Sequence, residues 1–277
     1  IERLHAKPWP QRLARDERGA GGARFYVETF EPIEIANSLP HTGGSWVWIG
    51  VSGCAVTGQL VSALKQRGHD VELVETTPDA LDRGDTLSAR LRDAFGPRHD
   101  AGVVNALALR DGATTGIALA ARTLVEHALV FARSLAAAPF AQETATRVVV
   151  LTRGARAVTA DASVSNDGVA QAALYGFYRT MAMEMAGVDV QLIDLARIDG
   201  CTIDLLCDVL GEPLAETELA LRNGRALGAR LAEVARDELA VRRITRAEAG
   251  ETLNFALRRP GGQGADGLRW REQPQVL

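Results

Sequence analysis

The feature that most constrains the fold is a regular alternation of two kinds of segment between residues 45 and 193. Short apolar runs bounded by turn residues are typical of buried strands, whereas longer segments with apolar residues three or four positions apart are typical of helices. This alternation predicts an α/β protein. Because right-handed crossovers place helices on both sides of a parallel sheet, we expect a parallel sheet with helices on both faces.

The alternation predicts five strands and four helices. The predicted strands are Trp46–Val51, Asp70–Glu75, Ala101–Leu107, Arg147–Thr152 and Val188–Ile193. The predicted helices are Gln59–Arg67, a segment marked by Leu87, Leu91 and Phe95, then Thr115–Leu135 and Val169–Met185. Thr114 or Thr115 is the expected N-cap of the third helix, and Asp167 that of the fourth, because short polar side chains accept hydrogen bonds from the first turn.

The segments on either side of this core differ from it in character. Residues 1–44 are rich in Pro and Gly and are predicted to be a linker, except that Phe25–Ile35 has the aromatic and β-branched residues of a strand or extended arm. Pro32 would confine that strand to a sheet edge. Near the other end, Asn223-Gly224 predicts the turn of a β-hairpin.

Composition excludes several classes of function. A chain of 277 residues with a net charge of −4 has no basic surface for nucleic acid or anionic lipid, and no apolar run is long enough to span a membrane. The three cysteines, Cys54, Cys201 and Cys207, show neither a disulfide framework nor a zinc-ligand spacing. The five histidines are scattered and are expected at the surface. We therefore expect no nucleic acid, membrane or metal partner, and a cytoplasmic location.

The turn after the first strand is where a dinucleotide would bind in this kind of fold, because glycines there let the backbone approach the pyrophosphate. The turn retains Gly50, Gly53 and Gly58. Its interior, however, is filled by Cys54-Ala-Val56. The sequence therefore predicts a degenerate turn that binds no cofactor, and it interprets Glu75 at the end of the next strand as a solvated carboxylate.

The helix near residue 175 resembles the catalytic helix of short-chain reductases, in which a Tyr general acid is followed four residues later by a Lys that lowers its pKa. Tyr178 has Ser165 at the expected upstream spacing, but Ala182 stands where the Lys belongs. Tyr175 is followed at that spacing by Arg179, but an alanine stands at the upstream serine position. Arg remains protonated and is a poor substitute for the Lys. The sequence therefore predicts no catalytic residues, and ordinary packing roles for these side chains.

Several stretches, in order along the chain, resemble the non-catalytic half of modular polyketide synthase ketoreductases. Asp167–Glu184 is similar to its central helix, with Tyr175 in place of a Trp, and Glu216–Leu231 is similar to its closing hairpin. Phe25–Ile35 is similar to its opening β-arm. Leu253–Gly261 and Asp266–Arg271 resemble the first strands of the enoylreductase that follows this subdomain in fully reducing modules.

The resemblance implies a truncated Rossmann-like sheet of the short-chain reductase type. It implies a linker and opening β-arm over 1–44, a pseudo-ketoreductase domain over 45–235, and a connector into the enoylreductase over 236–277. Such a subdomain would buttress the catalytic ketoreductase half and position the enoylreductase of the same polypeptide, which are its expected partners. This fragment would bind no cofactor, whereas neighbouring domains would use NADPH.

Two alternatives stay open. An active NADPH-dependent short-chain reductase would have to bind its cofactor despite the filled turn at Cys54–Val56. A methyltransferase-like Rossmann domain would need a Gly-rich first turn as well as a strand-end acid, and Glu75 alone is too little to indicate one.

Overall fold

The computed structural model describes residues 25–35, 44–82, 85–96, 101–110, 116–137, 146–158, 165–211, 214–234, 254–258 and 269–273. Its strands are β1 (Phe25–Pro32), β2 (Ser45–Val51), β3 (Asp70–Thr76), β4 (Gly102–Asn105), β5 (Thr146–Arg153), β6 (Val188–Leu195), β7 (Glu218–Arg222), β8 (Arg225–Val234), β9 (Asn254–Arg258) and β10 (Arg269–Gln273). Its helices are α1 (Ala55–Gln66), α2 (Pro78–Asp82), α3 (Asp85–Phe95), α4 (Ile117–Ala136), α5 (Asn166–Glu184) and α6 (Gly200–Gly211).

Eight strands form one sheet in the order β1-β8-β7-β6-β5-β4-β2-β3. Strands β2 to β7 are paired in parallel, and β7 and β8 form an antiparallel hairpin. The chain leaves β2 for β3 on one side and then returns to place β4 on the other side of β2. The predicted α/β fold with a Rossmann-like, mostly parallel sheet is therefore confirmed.

Each face of the sheet buries its own apolar core. One core lies under α3, α4 and α5 and includes Leu91, Phe131 and Leu174. The other lies under α1 and α6 and includes Trp48 and Leu206. Strand residues alternate between the two cores because successive side chains of a strand point to opposite faces.

Two predicted helix caps were wrong. Helix α5 begins at Asn166, and its N-cap is Ser165, whose hydroxyl accepts from the backbone N–H of Gly168. Asp167 lies inside the first turn, where its negative charge interacts favourably with the helix dipole. Helix α4 has Gly116 at its N-cap position, and the predicted caps Thr114 and Thr115 lie outside the described residues.

The outer strands have the hairpin turn and the edge position that the sequence predicts for them. Asn223 and Gly224 both have positive φ, 51° and 71°, which is what a tight two-residue hairpin turn requires. β1 occupies the end of the sheet beside β8, so Pro32 does lie on an edge strand.

The chain divides into two compact units. The larger is Glu28–Leu231 and holds both cores. The smaller comprises Ile1–Val27 and Ala232–Leu277, and its described part includes the antiparallel pair β9 and β10. No helix in the described ranges is long and apolar enough to cross a membrane.

Candidate functional site

The candidate cofactor crevice lies at the carboxyl ends of β2 and β4, where the strand order reverses. The three glycines of the turn differ in what they do there. Gly53 has φ of +74° and needs its conformational freedom. A Cβ at Gly50 would lie 2.7 Å from the Cγ2 atom of Thr57, so Gly50 allows α1 to pack on the sheet. A Cβ at Gly58 would meet nothing within 4 Å.

Cys54 spans the crevice. Its thiol donates to the backbone carbonyl oxygen of Leu109, 3.1 Å away, and thereby connects the turn after β2 to the segment after β4. The other two residues that fill the turn behave differently, because Ala55 is exposed and Val56 packs against the core under α1. Of the three, Cys54 is the residue whose side chain occupies the space between the two strand ends.

Tyr178, the first candidate acid, lies in the core. Its hydroxyl accepts from Nδ2 of Asn105 at 2.7 Å, and Asn105 Oδ1 in turn accepts from the backbone N–H of Leu107. The rings of Phe131 and Phe177 meet the Tyr178 ring edge to face. Burial raises the pKa of Tyr178 far above its ordinary value. A hydroxyl enclosed in this way has no path to a ligand at the surface.

Tyr175, the second candidate, is also buried, and its hydroxyl lies 3.4 Å from Oγ1 of Thr152. Arg179 stands where a reductase would have its Lys, and its guanidinium donates to the carboxylate of Glu218 at 2.7 Å. Burial, together with the charge of Asp194, raises the pKa of Tyr175 well above its ordinary value. Both effects stabilise the neutral phenol and oppose the ionisation that a Lys would promote.

A polar network at the carboxyl ends of β5, β6 and β7 was missed by the sequence analysis. The fully buried Asp194 carboxylate accepts from Oγ1 of Thr152 at 2.7 Å, from the backbone N–H of Ala155 at 2.9 Å, and from the guanidinium of Arg222. Arg222 also donates to the carbonyl oxygens of Asp194 and Arg156, at 2.8 and 3.0 Å. In the sequence, the only indication of this network was Asp194, which directly follows the predicted strand Val188–Ile193.

Next to this network, a second charged cluster joins β1 to the sheet. The Arg156 guanidinium pairs with Glu28 and lies 4.7 Å from the ring centre of Tyr175 and 5.4 Å from that of Phe30. Arg179 is 3.4 Å from Glu28 as well. The surface above Tyr175 is therefore covered by side chains of β1 and their arginine partners.

The remaining candidates have ordinary surroundings. Glu75 is exposed at the end of β3, and no group of three or more His, Cys, Asp or Glu in the described part of the chain could hold a metal ion. The expectation that the histidines lie at the surface was wrong for two of them. His69 and His127 are buried, and Nδ1 of His69 accepts from the backbone N–H of Gly44 at 3.1 Å.

A separate concave surface lies between α4 and α5, away from the crevice. It is an apolar groove of about 530 Å³. We call it the α4–α5 groove; its walls include Val125, Leu129 and Ala132 from α4 and Ala173, Gly176 and Phe177 from α5. A contiguous apolar surface of this kind commonly marks a site of protein contact.

The sheet order and the two helical layers define a ketoreductase-type Rossmann domain. A C2-type ketoreductase from a modular polyketide synthase superposes with a TM-score of 0.61 and 25% identity over 76% of this chain, and an A-type ketoreductase does so with 0.62 and 22%. The chain belongs to the family described as the polyketide synthase extender module SpnB, Rossmann fold domain, which matches residues 51–231. It is also 34% identical over 219 residues to polyketide synthase GfsA from Streptomyces halstedii.

The chain is much shorter than these relatives. It spans 44% and 43% of the two ketoreductase chains, and its match to GfsA covers 78% of this chain but 3% of that protein. More than half of each ketoreductase therefore lies outside the matched part.

Proposed function

We propose that this chain is a non-catalytic structural subdomain of a polyketide synthase, which buttresses the catalytic ketoreductase half and positions an enoylreductase in the same polypeptide. The observation that carries the proposal is the contact of Cys54 with Leu109, which places a side chain across the crevice where a fold of this kind holds a dinucleotide. NADPH would then be used by neighbouring domains and not by this one.

The two tyrosines support the same conclusion. A general acid must come within hydrogen-bond reach of the substrate and have a pKa suited to the working pH. Tyr178 is enclosed and hydrogen-bonded to Asn105, and Tyr175 lies beneath Arg156, whose guanidinium also contacts the ring of Phe30. For both phenols the pKa is shifted away from the physiological range.

The difference in length between this chain and the matched ketoreductases supports a buttressing role. The matched ketoreductases contain more than twice as much chain as the region they share with this protein. An apolar groove between two helices gives a surface on which such a companion segment could pack. For the enoylreductase, the support is the pair β9 and β10, which lies at the sequence positions that resemble its first strands and forms a sheet of its own.

Cofactor titration tests the absence of catalysis. The 277-residue chain is titrated with NADPH while nicotinamide fluorescence is followed, and a ketoreductase of the matched kind serves as the positive control. We expect no saturable binding. A dissociation constant below about 10 μM, equivalent to roughly −7 kcal/mol, would instead favour the active reductase.

Reconstitution tests the buttressing role. The segment of the same polypeptide that is similar to the remaining half of the ketoreductases is produced separately, and its melting temperature and yield are measured with and without this chain. We expect both to rise, because binding to the folded form stabilises it by mass action. No change in either would count against a structural role.

A further inference from the structure

The arm formed by β1 and the three residues after it carries charge of one sign. Residues 25–35 contain no Lys or Arg and three acids, which are Glu28, Glu31 and Glu34. In the described part of the chain, the ion pairs of Glu28 and Glu31 are made with arginines of β8, of α5 and of the segment after β5, which are Arg230, Arg179 and Arg156. The arm and the surface that it lies on therefore have complementary charge.

Four side chains form a ring of alternating charge, which we call the charge quartet: Glu28, Arg156, Glu218 and Arg179. Arg156 pairs with Glu28 and lies 3.9 Å from the carboxylate of Glu218. Arg179 lies 3.4 Å from the carboxylate of Glu28 and 2.7 Å from that of Glu218. Each arginine thus contacts both glutamates. Glu28 is the one member that belongs to β1, and without it the quartet keeps two positive charges and one negative.

Apolar burial contributes little to the attachment of the arm. None of residues 26–35 is buried, and Ile33 and Ile35 pack only at the border of the core under α1 and α6. The hydroxyl of Thr29 is shielded from solvent without a hydrogen-bond partner in the described ranges, which opposes docking. β1 also lies at the end of the sheet, beside β8 alone. A strand attached in this way can leave the sheet without opening either core.

We infer that β1 is a reversible strap, which docks on the sheet through the charge quartet, and that the place it leaves is a binding site for an acidic strand. On release, Arg156 loses both Glu28 and the ring of Phe30, two residues further along the same face of β1. The open site then presents Arg156, stacked on Tyr175, next to Arg179. Paired guanidinium groups of this kind bind a carboxylate. The occupant is the arm itself, and the inference does not depend on the proposed function.

Hydrogen exchange of the 277-residue chain, followed by mass spectrometry, measures release of the strap. Protection of residues 26–35 should fall at least tenfold in Glu28→Gln, and it should also fall when NaCl is raised from about 0.1 to about 1 M, because salt screens partly exposed charges. Protection of β5 and β6 should stay the same. Glu31→Gln is the matched control, since Glu31 is 64% exposed and 3.9 Å from Arg230, and it should change protection less than twofold.

Binding of the free arm tests the site. A labelled peptide of residues 25–35 is titrated into the Glu28→Gln chain, whose own strap is loosened, and fluorescence anisotropy is followed. The peptide should bind, and the same peptide carrying Glu28→Gln should bind at least tenfold more weakly. The inference is wrong if Glu28→Gln leaves the protection of the strap within twofold of the wild type, or if β5 and β6 lose protection together with it. It is equally wrong if the natural peptide does not bind, or if the two peptides bind alike.

Discussion

At the scale of single residues, the two tyrosines of α5 should respond differently to loss of the hydroxyl. Tyr178→Phe leaves the buried Nδ2 group of Asn105 without its acceptor, and an unsatisfied buried donor costs about 1–3 kcal/mol. Tyr175→Phe loses only the 3.4 Å contact with Thr152, whose hydroxyl still donates to Asp194, so its cost should stay below about 0.5 kcal/mol. Urea unfolding of both variants measures the difference.

Truncation provides the control for that comparison. Tyr175→Ala should cost on the order of 3 kcal/mol, because it opens a cavity against the core. A larger loss for Tyr175→Phe than for Tyr178→Phe would contradict the assigned hydrogen bonds. If Tyr175→Phe abolished ketone reduction in the intact synthase without a change in melting temperature, Tyr175 would be an acid and not a packing residue.

The same two residues predict how stability depends on alkaline pH. Their folded-state pKa values are raised above the ordinary value near 10. A group of this kind contributes stability that is fully present below its unfolded pKa and is lost as pH rises towards its folded pKa. Stability should therefore fall above about pH 10. The double variant Tyr175→Phe, Tyr178→Phe should show a smaller fall, measured as urea midpoints from pH 8 to 11.

At the scale of elements, the strand ends are held together by the Asp194 network. Asp194→Asn removes the charge that faces the mostly buried Arg222, and breaking one partner of a buried pair costs about 3 kcal/mol or more. Glu126→Gln is the control, because its i,i+4 pair with Arg122 is exposed and should be worth less than about 0.5 kcal/mol. Chemical unfolding should separate the two variants clearly. Equal midpoints would mean that the Asp194 pair adds nothing to stability.

Most elements of the sheet could be predicted because their periodicity is local information. The exceptions have physical reasons. The strand predicted over Ala101–Leu107 ends at Asn105, because the Asn105 side chain accepts from the N–H of Leu107 and turns the chain. Helix α2 has five residues, too few to show a helical period.

The candidate site was less predictable, because its contacts join distant parts of the chain. The filled turn was visible in the sequence, but the partner of Cys54 lies 55 residues away. Asp194 and Arg222 are brought together only when β6 and β7 pair. Sequence reasoning could name the missing Lys and the crowded turn, but not the network at the strand ends.

At the scale of the whole molecule, the arm β1 is part of the larger unit from Glu28 onward. The backbone N–H of Ile33 donates to the carbonyl oxygen of Ala226 at 2.9 Å, and Glu28 and Phe30 both contact Arg156. The predicted border at residue 45 stays a prediction, but these contacts argue that residues 28–35 contribute to the stability of the sheet. Removing residues 1–35 should therefore lower the urea midpoint measurably, and an unchanged midpoint would show that the arm is dispensable.

The tail should behave in the opposite way. Strands β9 and β10 pair with each other in a separate sheet, and residues 232–277 belong to a different unit from the one that holds both cores. Removing residues 250–277 takes no strand from the eight-stranded sheet and no residue from either core. The free energy of unfolding should stay within about 1 kcal/mol of the parent, as expected when few core contacts are lost. Urea unfolding followed by tryptophan fluorescence measures it, with Trp46 and Trp48 reporting on the core under α1 and α6. A cooperative loss of folding would show that the tail belongs to this domain, and would weaken its assignment as a connector to the enoylreductase.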